Sequence, residues 1–78
     1  MPVSDKVRVG VVGLGYWGPN LARNFDRLPD AELAYCCDLD EANLAEAHRQ
    51  YPEAVVTDDL EVLLGDDALD AVVVATSV

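Results

Sequence analysis

Apolar and polar positions divide the start of the chain into a strand-like segment and a helix-like segment. Val7–Val12 is a mostly β-branched run, typical of a strand buried on both faces. From Pro19 onward the apolar spacing becomes helical, and Pro19 itself fits a first helical turn. The dipeptide Pro29-Asp30 ends the helix. The apolar positions of this helix are Leu21, Ala22, Phe25 and Leu28.

Three more apolar runs predict strands, separated by two segments with helical spacing. The predicted strands are Ala31–Asp38, Ala54–Thr57 and Asp70–Thr76. Asp40 is expected to cap a helix that runs to about Gln50. The inner side of that helix is expected to carry Leu44, Ala47, His48 and Tyr51. In the last helix Asp58 and Glu61 have capping-box spacing ahead of Leu60, Leu63 and Leu64, and Gly65 ends it.

This order, β-α-β-α-β-α-β with valine-rich strands, predicts a parallel sheet with helices on its faces. Right-handed crossovers give the strand order 3-2-1-4, which is half of a doubly wound Rossmann-type α/β domain. The fourth strand would then be an exposed apolar edge, which natural proteins avoid. Residues 1–78 are therefore expected either to be the N-terminal part of a dinucleotide-binding domain in a longer protein, or to pair as two copies along that edge.

Composition excludes several function classes. The net charge is −10, from 15 acidic and 5 basic residues, so nucleic acid and anionic membrane surfaces are not expected partners. Cys36 and Cys37 are adjacent and are expected to be reduced and buried, since a bridge between neighbours would be strained. With one histidine, no metal site is predicted. The N-terminus lacks a signal peptide, which predicts a cytoplasmic protein.

The first predicted turn carries the chemistry, because it reads Gly13-Leu14-Gly15-Tyr16-Trp17-Gly18, a G-x-G-x-x-G sequence. Gly13 permits a tight turn, Gly15 lets a diphosphate approach the backbone, and Gly18 lets the helix pack close to the strand. The helix N-terminus offers free N–H groups to phosphate. The motif follows a strand and opens a helix, which favours dinucleotide binding over a turn that binds nothing.

Asp38, at the end of the second strand, is the expected partner of the adenosine ribose hydroxyls. A 2′-phosphate would repel this carboxylate by about 4 kcal/mol per unit charge at ~4 Å and an effective dielectric of ~20. Leu39 supplies no compensating cation, so NAD is predicted over NADP. The alternative role for Asp38 is a helix cap, although Asp40 stands in the better position for that.

Other residues are weaker candidates for cofactor contact. Tyr16 and Trp17 either cover the cofactor or are ordinary surface aromatics. Thr76 and Ser77 follow the fourth strand at the edge where such sheets bind ligands, and either contact the cofactor or form a turn. The complete predicted cofactor-binding set is Gly13, Leu14, Gly15, Tyr16, Trp17, Gly18, Asp38, Leu39, Ala75, Thr76 and Ser77. No general acid or base is evident near them.

These segments resemble the N-terminal part of the Gfo/Idh/MocA (glucose–fructose oxidoreductase / inositol dehydrogenase) family. The resemblance is carried by "VGVVGLGYWGPNLARNF", "CDLDEANLA", "VVTDDLEVLLGDDALDAVVVAT" and the closing "ATSV". It implies an NAD-dependent oxidoreductase acting on a sugar or nucleotide-sugar hydroxyl, with Ala75, Thr76 and Ser77 flanking the cofactor. Many members have proline where this chain has Ser77.

The resemblance also implies what the chain lacks. The family's catalytic lysine, in a Glu-Lys-Pro motif, and its substrate-binding domain would lie beyond Val78, so no catalytic residue is assigned and the chain alone is expected to be inactive. The intact protein would be a homo-oligomer acting on a small sugar. The alternative hypothesis is a free-standing, non-catalytic dinucleotide-binding module that dimerises through its fourth strand. A Glu-Lys-Pro segment following in the same reading frame would favour the enzyme.

Overall fold

Strands and helices alternate along the chain in a computed structural model that describes residues 6–15 and 18–75. The strands are β1 (Val7–Val12), β2 (Ala31–Cys37), β3 (Val55–Thr57) and β4 (Ala71–Val74). The helices are α1 (Gly18–Arg27), α2 (Glu41–Gln50) and α3 (Leu60–Leu64). The predicted order of elements is confirmed, with small shifts at their ends.

All four strands are parallel and lie in the order β3-β2-β1-β4. The central strand β1 pairs with β2 on one side and with β4 on the other, so the predicted order 3-2-1-4 is confirmed. In a parallel sheet the carboxyl ends of the strands meet at one edge. The segments that follow β1, β2 and β4 are therefore brought together there, although they are far apart in sequence.

The sheet is packed on both faces. Helices α1 and α2 cover one face, and α3 covers the other. The core beneath α1 and α2 contains Val9, Val11, Leu14, Ala22, Leu33, Cys36, Ala47 and Ala54. The core beneath α3 contains Ala34, Tyr35, Cys37 and Leu63, with Val12 and Leu69 packed against it. Gly10 lies under Leu63, as expected of a residue that serves packing.

Strand β2 contains an irregularity where its pairing with β1 shifts. Val9 pairs with Leu33, but Gly10 pairs with Tyr35, so the register skips Ala34. An extra residue of this kind breaks the alternation of side chains between the two faces. Leu33 and Cys36 consequently lie in the core beneath α1 and α2, whereas Ala34, Tyr35 and Cys37 lie in the core beneath α3.

A polar cluster at the amino edge of the sheet fixes the connection from α3 to β4. The Tyr35 hydroxyl donates to Asp66 Oδ2 at 2.6 Å, and Arg8 Nη1 donates to the same oxygen at 3.3 Å. The backbone N–H of Arg8 donates to Asp70 Oδ2 at 2.9 Å. The Tyr35 hydroxyl is the main group that lowers the pKa of Asp66. These bonds hold β4 beside β1.

The cap of α3 differs from the predicted one. Asp59, not Asp58, accepts the backbone N–H of Glu61, at 3.0 Å. Since α3 begins at Leu60, the capping position falls one residue later than the spacing suggested, and Glu61 comes too early in the helix for a reciprocal capping box. Gly65 ends the helix as predicted, and its N–H donates to Glu61 O and Leu63 O.

Two side chains predicted to face inward do not. Leu28 follows the last residue of α1 and is 50% exposed, because the helix ends before it can complete the apolar stripe. His48 is exposed, because full burial in α2 is limited to Ala47, the residue directly before it. Leu44 and Tyr51 are partly buried against the core, as predicted.

Both cysteines are buried and unbridged, as predicted. Burial raises the pKa of the Cys36 thiol to about 11, and the carboxylate of Asp26 adds to the shift. The pKa of Cys37 is raised as well, first by burial and then by the nearby Asp38 carboxylate. These thiols are therefore neutral packing groups.

Replacing Leu63 by alanine is expected to lower the free energy of unfolding by about 2–5 kcal/mol, because this fully buried side chain would leave a cavity. The matched substitution is Leu64→Ala in the next position of α3, where the side chain is 64% exposed and the expected change is within about 0.5 kcal/mol. Urea unfolding of both variants measures the difference. Equal losses would contradict the described packing of α3.

Candidate functional site

Three of the residues predicted from sequence to bind a cofactor, Gly13, Asp38 and Ala75, directly follow strands at the carboxyl edge of the sheet. Hydrogen bonds between strands continue one residue past the strand ends there. The N–H of Gly13 donates to Cys37 O at 2.8 Å, and the N–H of Ala75 donates to Val12 O at 2.7 Å. The N–H of Asp38 donates to Thr57 O at 3.3 Å. Gly13, Asp38 and Ala75 are thereby held at one edge.

Two glycines of the loop after β1 are required by the backbone itself. Gly13 has a φ of 95°, in the left-handed region that side chains disfavour. A Cβ on Gly18 would lie 1.8 Å from the carbonyl oxygen of Gly13, a distance no side chain can tolerate. The sequence predicted a tight turn at Gly13 and close packing at Gly18, and the structure has both features.

Gly15 differs from these two. Among the described residues, no atom lies within 4 Å of a Cβ placed on Gly15, and the residue is exposed. Space is therefore available next to the backbone at this point of the loop. An approaching diphosphate needs such a place, with main-chain atoms accessible and no side chain in the way.

The Asp38 carboxylate accepts hydrogen bonds from three segments. Oδ2 accepts the backbone N–H of Leu14 at 2.7 Å and the side-chain amide of Asn43 at 3.1 Å. Oδ1 accepts the backbone N–H of Asp40 at 2.9 Å. Burial of this half-buried group raises its pKa, but these three donors, together with the backbone N–H of Leu39, outweigh burial and hold the pKa of Asp38 below its usual value. The group is an anion at neutral pH.

The alternative role of Asp38, as a helix cap, belongs to Asp40. Asp40 Oδ1 accepts the backbone N–H of Ala42 at 2.8 Å and that of Asn43 at 3.3 Å, which makes it the cap of α2, as predicted. Asp38 lies two residues before Asp40, and its carboxylate accepts the backbone N–H of Leu14 in the glycine loop and the side-chain amide of Asn43. The carboxylate is thus fixed beside Leu14 and does not serve as the cap of α2.

Asn43 is a site residue that the sequence predictions missed. It lies in the first turn of α2, and its side-chain amide reaches Asp38 from there. The sequence signal that could have identified Asn43 is its spacing from Asp40. A residue three positions after a helix cap lies close to the segment that leads into the cap.

The remaining predicted residues have different surroundings. The side chain of Leu14 is buried in the core and its N–H is engaged by Asp38, whereas Leu39 is 86% exposed next to that carboxylate. Ala75 is half-buried after β4. Tyr16, Trp17, Thr76 and Ser77 lie outside the described residues.

A groove of about 210 Å³ opens between α1 and α2 beside the glycine loop. It is lined by Leu14, Gly15, Pro19, Ala22, Asn43, Glu46, Ala47, Gln50 and Tyr51. A larger hollow, of about 570 Å³, includes Ala31 and Leu33 of β2 and lies toward the amino edge of the sheet. Sheets of this kind bind ligands at their carboxyl edge, which favours a binding site near the smaller groove over one in the larger hollow.

Among residues 6–15 and 18–75, no group of histidine, cysteine, aspartate and glutamate side chains is arranged to hold a metal ion. Over the same ranges, no helix has the length and apolar character needed to cross a bilayer.

Comparison with known proteins gives a consistent result. The family model described as "Oxidoreductase family, NAD-binding Rossmann fold" (GFO_IDH_MocA) matches residues 7–78. An uncharacterized oxidoreductase of Streptococcus pneumoniae serotype 4 is 40% identical over 70 residues, covering 90% of this chain and 18% of that protein. A glycosyl hydrolase family 109 protein of Shewanella sp. (strain ANA-3) is 34% identical over 85 residues, covering 97% of this chain and 19% of that protein.

Solved structures share the fold. GenD2 from gentamicin A biosynthesis, in complex with NAD, superimposes with a TM-score of 0.84 at 31% identity over 97% of this chain and 23% of that one. Scyllo-inositol dehydrogenase from Lactobacillus casei, with bound NAD(H) and scyllo-inositol, gives 0.81 at 25% identity over 92% of this chain and 22% of that one. The chain spans about a fifth of the length of the curated relatives it matches.

Gly18→Ala is expected to destabilise the fold by about 2–3 kcal/mol or more, because the new methyl group would collide with the backbone carbonyl of Gly13 and backbone cannot move aside cheaply. Gly15→Ala is the matched substitution in the same loop, with an expected change within about 0.5 kcal/mol since its methyl group enters open space. Thermal and urea unfolding compare the two. If Gly18→Ala were as stable as Gly15→Ala, the described loop conformation would be wrong.

Asp38 is expected to make stability depend on pH in the acid range. Its pKa is lower in the folded chain than in the unfolded chain, so its contribution is complete above the unfolded value of about 3.9 and is lost as pH falls toward the folded value. The stability difference between the chain and Asp38→Asn should therefore be largest near neutral pH and shrink below about pH 4. Urea unfolding across this range measures it, with the exposed Asp67→Asn as control. A difference that does not change with pH would contradict the described bonds.

Proposed function

Because this chain belongs to the Gfo/Idh/MocA oxidoreductase family through that family's NAD-binding Rossmann fold, we propose that it forms the cofactor-holding part of an enzyme that oxidises a sugar or nucleotide-sugar hydroxyl. One observation carries the assignment of the site. An ionised carboxylate, that of Asp38, is bonded directly to the loop in which Gly15 leaves the backbone uncovered. That combination suits a diphosphate linked to a ribose.

The diphosphate would lie over Gly15. The loop meets the start of α1 at Gly18, so the partial positive charge of the helix N-terminus faces the same region. This local field gives a chain of net charge −10 a place for an anion without a lysine or arginine. Tyr16 and Trp17 stay in the proposed set on the strength of their sequence positions in the motif.

The adenosine half would lie beside Asp38. Its carboxylate would accept a hydrogen bond from the ribose, and its negative charge disfavours a 2′-phosphate. The exposed side chain of Leu39 offers apolar surface next to it, which suits one face of the adenine ring. Ala75 follows β4 at the same edge, and Thr76 and Ser77 stay in the proposed set by sequence position.

The substrate proposal rests on relatives. One solved relative holds scyllo-inositol together with NAD(H), and a curated relative is named as a glycosyl hydrolase. Scyllo-inositol is a carbohydrate-like polyol, and the name glycosyl hydrolase refers to carbohydrate chemistry, which supports a sugar carbinol as substrate. NAD supplies the hydride acceptor when bound, and the residues proposed here bind and orient it. Substrate binding and proton transfer would belong to the remainder of an intact protein, which we propose to be a homo-oligomer.

The cytoplasm is the proposed location. Both cysteines are free thiols, which suits a reducing compartment.

A second candidate is a non-catalytic binding module that dimerises along β4. The observation that favours it is the apolar edge strand, in which Val72 is 37% and Val74 67% exposed. A dimer that binds NAD with strand β4 at its interface would support this candidate, whereas a monomer that binds NAD would support the enzyme part.

Calorimetric titration of the chain with NAD tests the proposal. We expect saturable NAD binding, and binding of NADP weaker by about tenfold or more, which corresponds to about 1.4 kcal/mol. Gly15→Val is expected to weaken NAD binding by at least about tenfold, because its side chain would occupy the space proposed for the diphosphate.

The melting temperature of Gly15→Val serves as the control and should stay close to that of the parent chain. A folded chain that does not bind NAD would overturn the proposed function. Equal affinities for NAD and NADP would overturn the role given to Asp38.

A further inference from the structure

The side chain of Asn43 is held in place by the start of α2. The helix is capped by Asp40, whose Oδ1 accepts the backbone N–H of Asn43 at 3.3 Å. From this fixed backbone position the Asn43 amide donates to Asp38 Oδ2 at 3.1 Å. Asn43 also lines the groove that opens at Gly15. It therefore connects the helix cap, the carboxylate and the candidate binding surface.

The hydrogen bonds of Asp38 are unevenly divided between its two oxygens. Oδ2 accepts from Leu14 N and from Asn43 Nδ2, and Oδ1 accepts from Asp40 N. An ionised carboxylate offers about four acceptor sites, two on each oxygen. Oδ2 is thus filled by protein donors, and the remaining acceptor capacity of the group is on Oδ1.

We propose that Asn43 is a positioning residue for ribose recognition, which fixes Asp38 Oδ2 together with the N–H of Leu14 and leaves Oδ1 to accept a ribose hydroxyl. The inference rests on the proposed function, in which Asp38 binds the adenosine ribose. Without the Asn43 amide, the carboxylate can turn about its last bond, and both oxygens compete for the Leu14 and Asp40 donors. The ribose hydroxyl then meets an acceptor that is no longer held ready for it.

The neutral amide has a second consequence for specificity. It orients Asp38 without adding positive charge, so the full negative charge of the carboxylate remains to oppose a 2′-phosphate. A lysine or arginine in the same place would orient the carboxylate too, but would cancel that charge. Asn43 therefore favours a ribose with unmodified hydroxyls.

The test compares two ligands that differ only at the ribose. ADP carries the diphosphate and both ribose hydroxyls, and 2′,3′-dideoxy-ADP lacks the hydroxyls. We expect Asn43→Ala to weaken ADP binding by about fivefold, as for a partly exposed hydrogen bond to a charged group, and to leave 2′,3′-dideoxy-ADP binding unchanged. Asn43→Leu, which keeps the size of the side chain but has no donor, should behave like Asn43→Ala.

Asn24→Ala in α1 is the matched control, since Asn24 is an exposed helical asparagine and should affect neither ligand. Alanine suits a helix better than asparagine does, so both alanine variants are expected to fold. Unchanged ADP binding in Asn43→Ala would overturn the inference. Equal weakening of ADP and 2′,3′-dideoxy-ADP would overturn it as well, because Asn43 would then support the fold and not the ribose contact.

The same titrations separate this inference from the proposed function. If the parent chain binds NAD and ADP but the effect of Asn43→Ala does not depend on the ribose hydroxyls, the inference fails and the proposed function stands. If the parent chain binds neither NAD nor ADP, the proposed function fails, and the inference that rests on it fails too.

Discussion

The hydrogen bond from the backbone N–H of Leu14 to Asp38 Oδ2 joins two segments that are 24 residues apart and that form the candidate site only when held together. The acceptor is ionised, which makes the bond stronger than one between neutral groups. It also connects the parts of the chain that precede α1 and α2, so the starts of both helices are fixed relative to each other. Gly15 lies in the loop held in this way, and its open surface keeps a defined orientation.

A strongly acidic chain with a proposed anion site requires that local groups outweigh the net charge. Interactions between exposed charges are screened over about 10 Å at moderate ionic strength, whereas backbone N–H groups at a helix start contact an anion directly. The two acidic residues that follow β2 are also engaged in hydrogen bonds. Asp38 is bonded to three donors and Asp40 to the first turn of α2. The net charge is therefore expected to affect the solubility of the chain more than its affinity for the proposed anionic ligand.

Sequence patterns predicted the fold well wherever one local rule was sufficient. The valine run gave the bounds of β1 correctly, and Asp40 was correctly assigned as the cap of α2 because it directly precedes a helical pattern. The errors arose where the exact start of an element mattered. The predicted cap of α3 was Asp58, but the helix begins at Leu60 and its cap is Asp59, directly before it. The shift at Ala34 depends on the pairing of β2 with β1, which the spacing along one strand does not reveal. Asn43 was missed although it lies five residues after its partner Asp38.

The extra residue in β2 determines on which face of the sheet Asp38 lies. Along an unbroken strand the side chain five positions after Leu33 would point to the opposite face, toward α3. The skipped position reverses the phase once, so Asp38 returns to the side of Leu33, where α2 supplies the amide of Asn43. A gapless superposition of β2 on a regular strand would therefore assign the carboxylate to the wrong layer. One inserted residue, about 3.3 Å of chain, decides which helix the carboxylate is paired with.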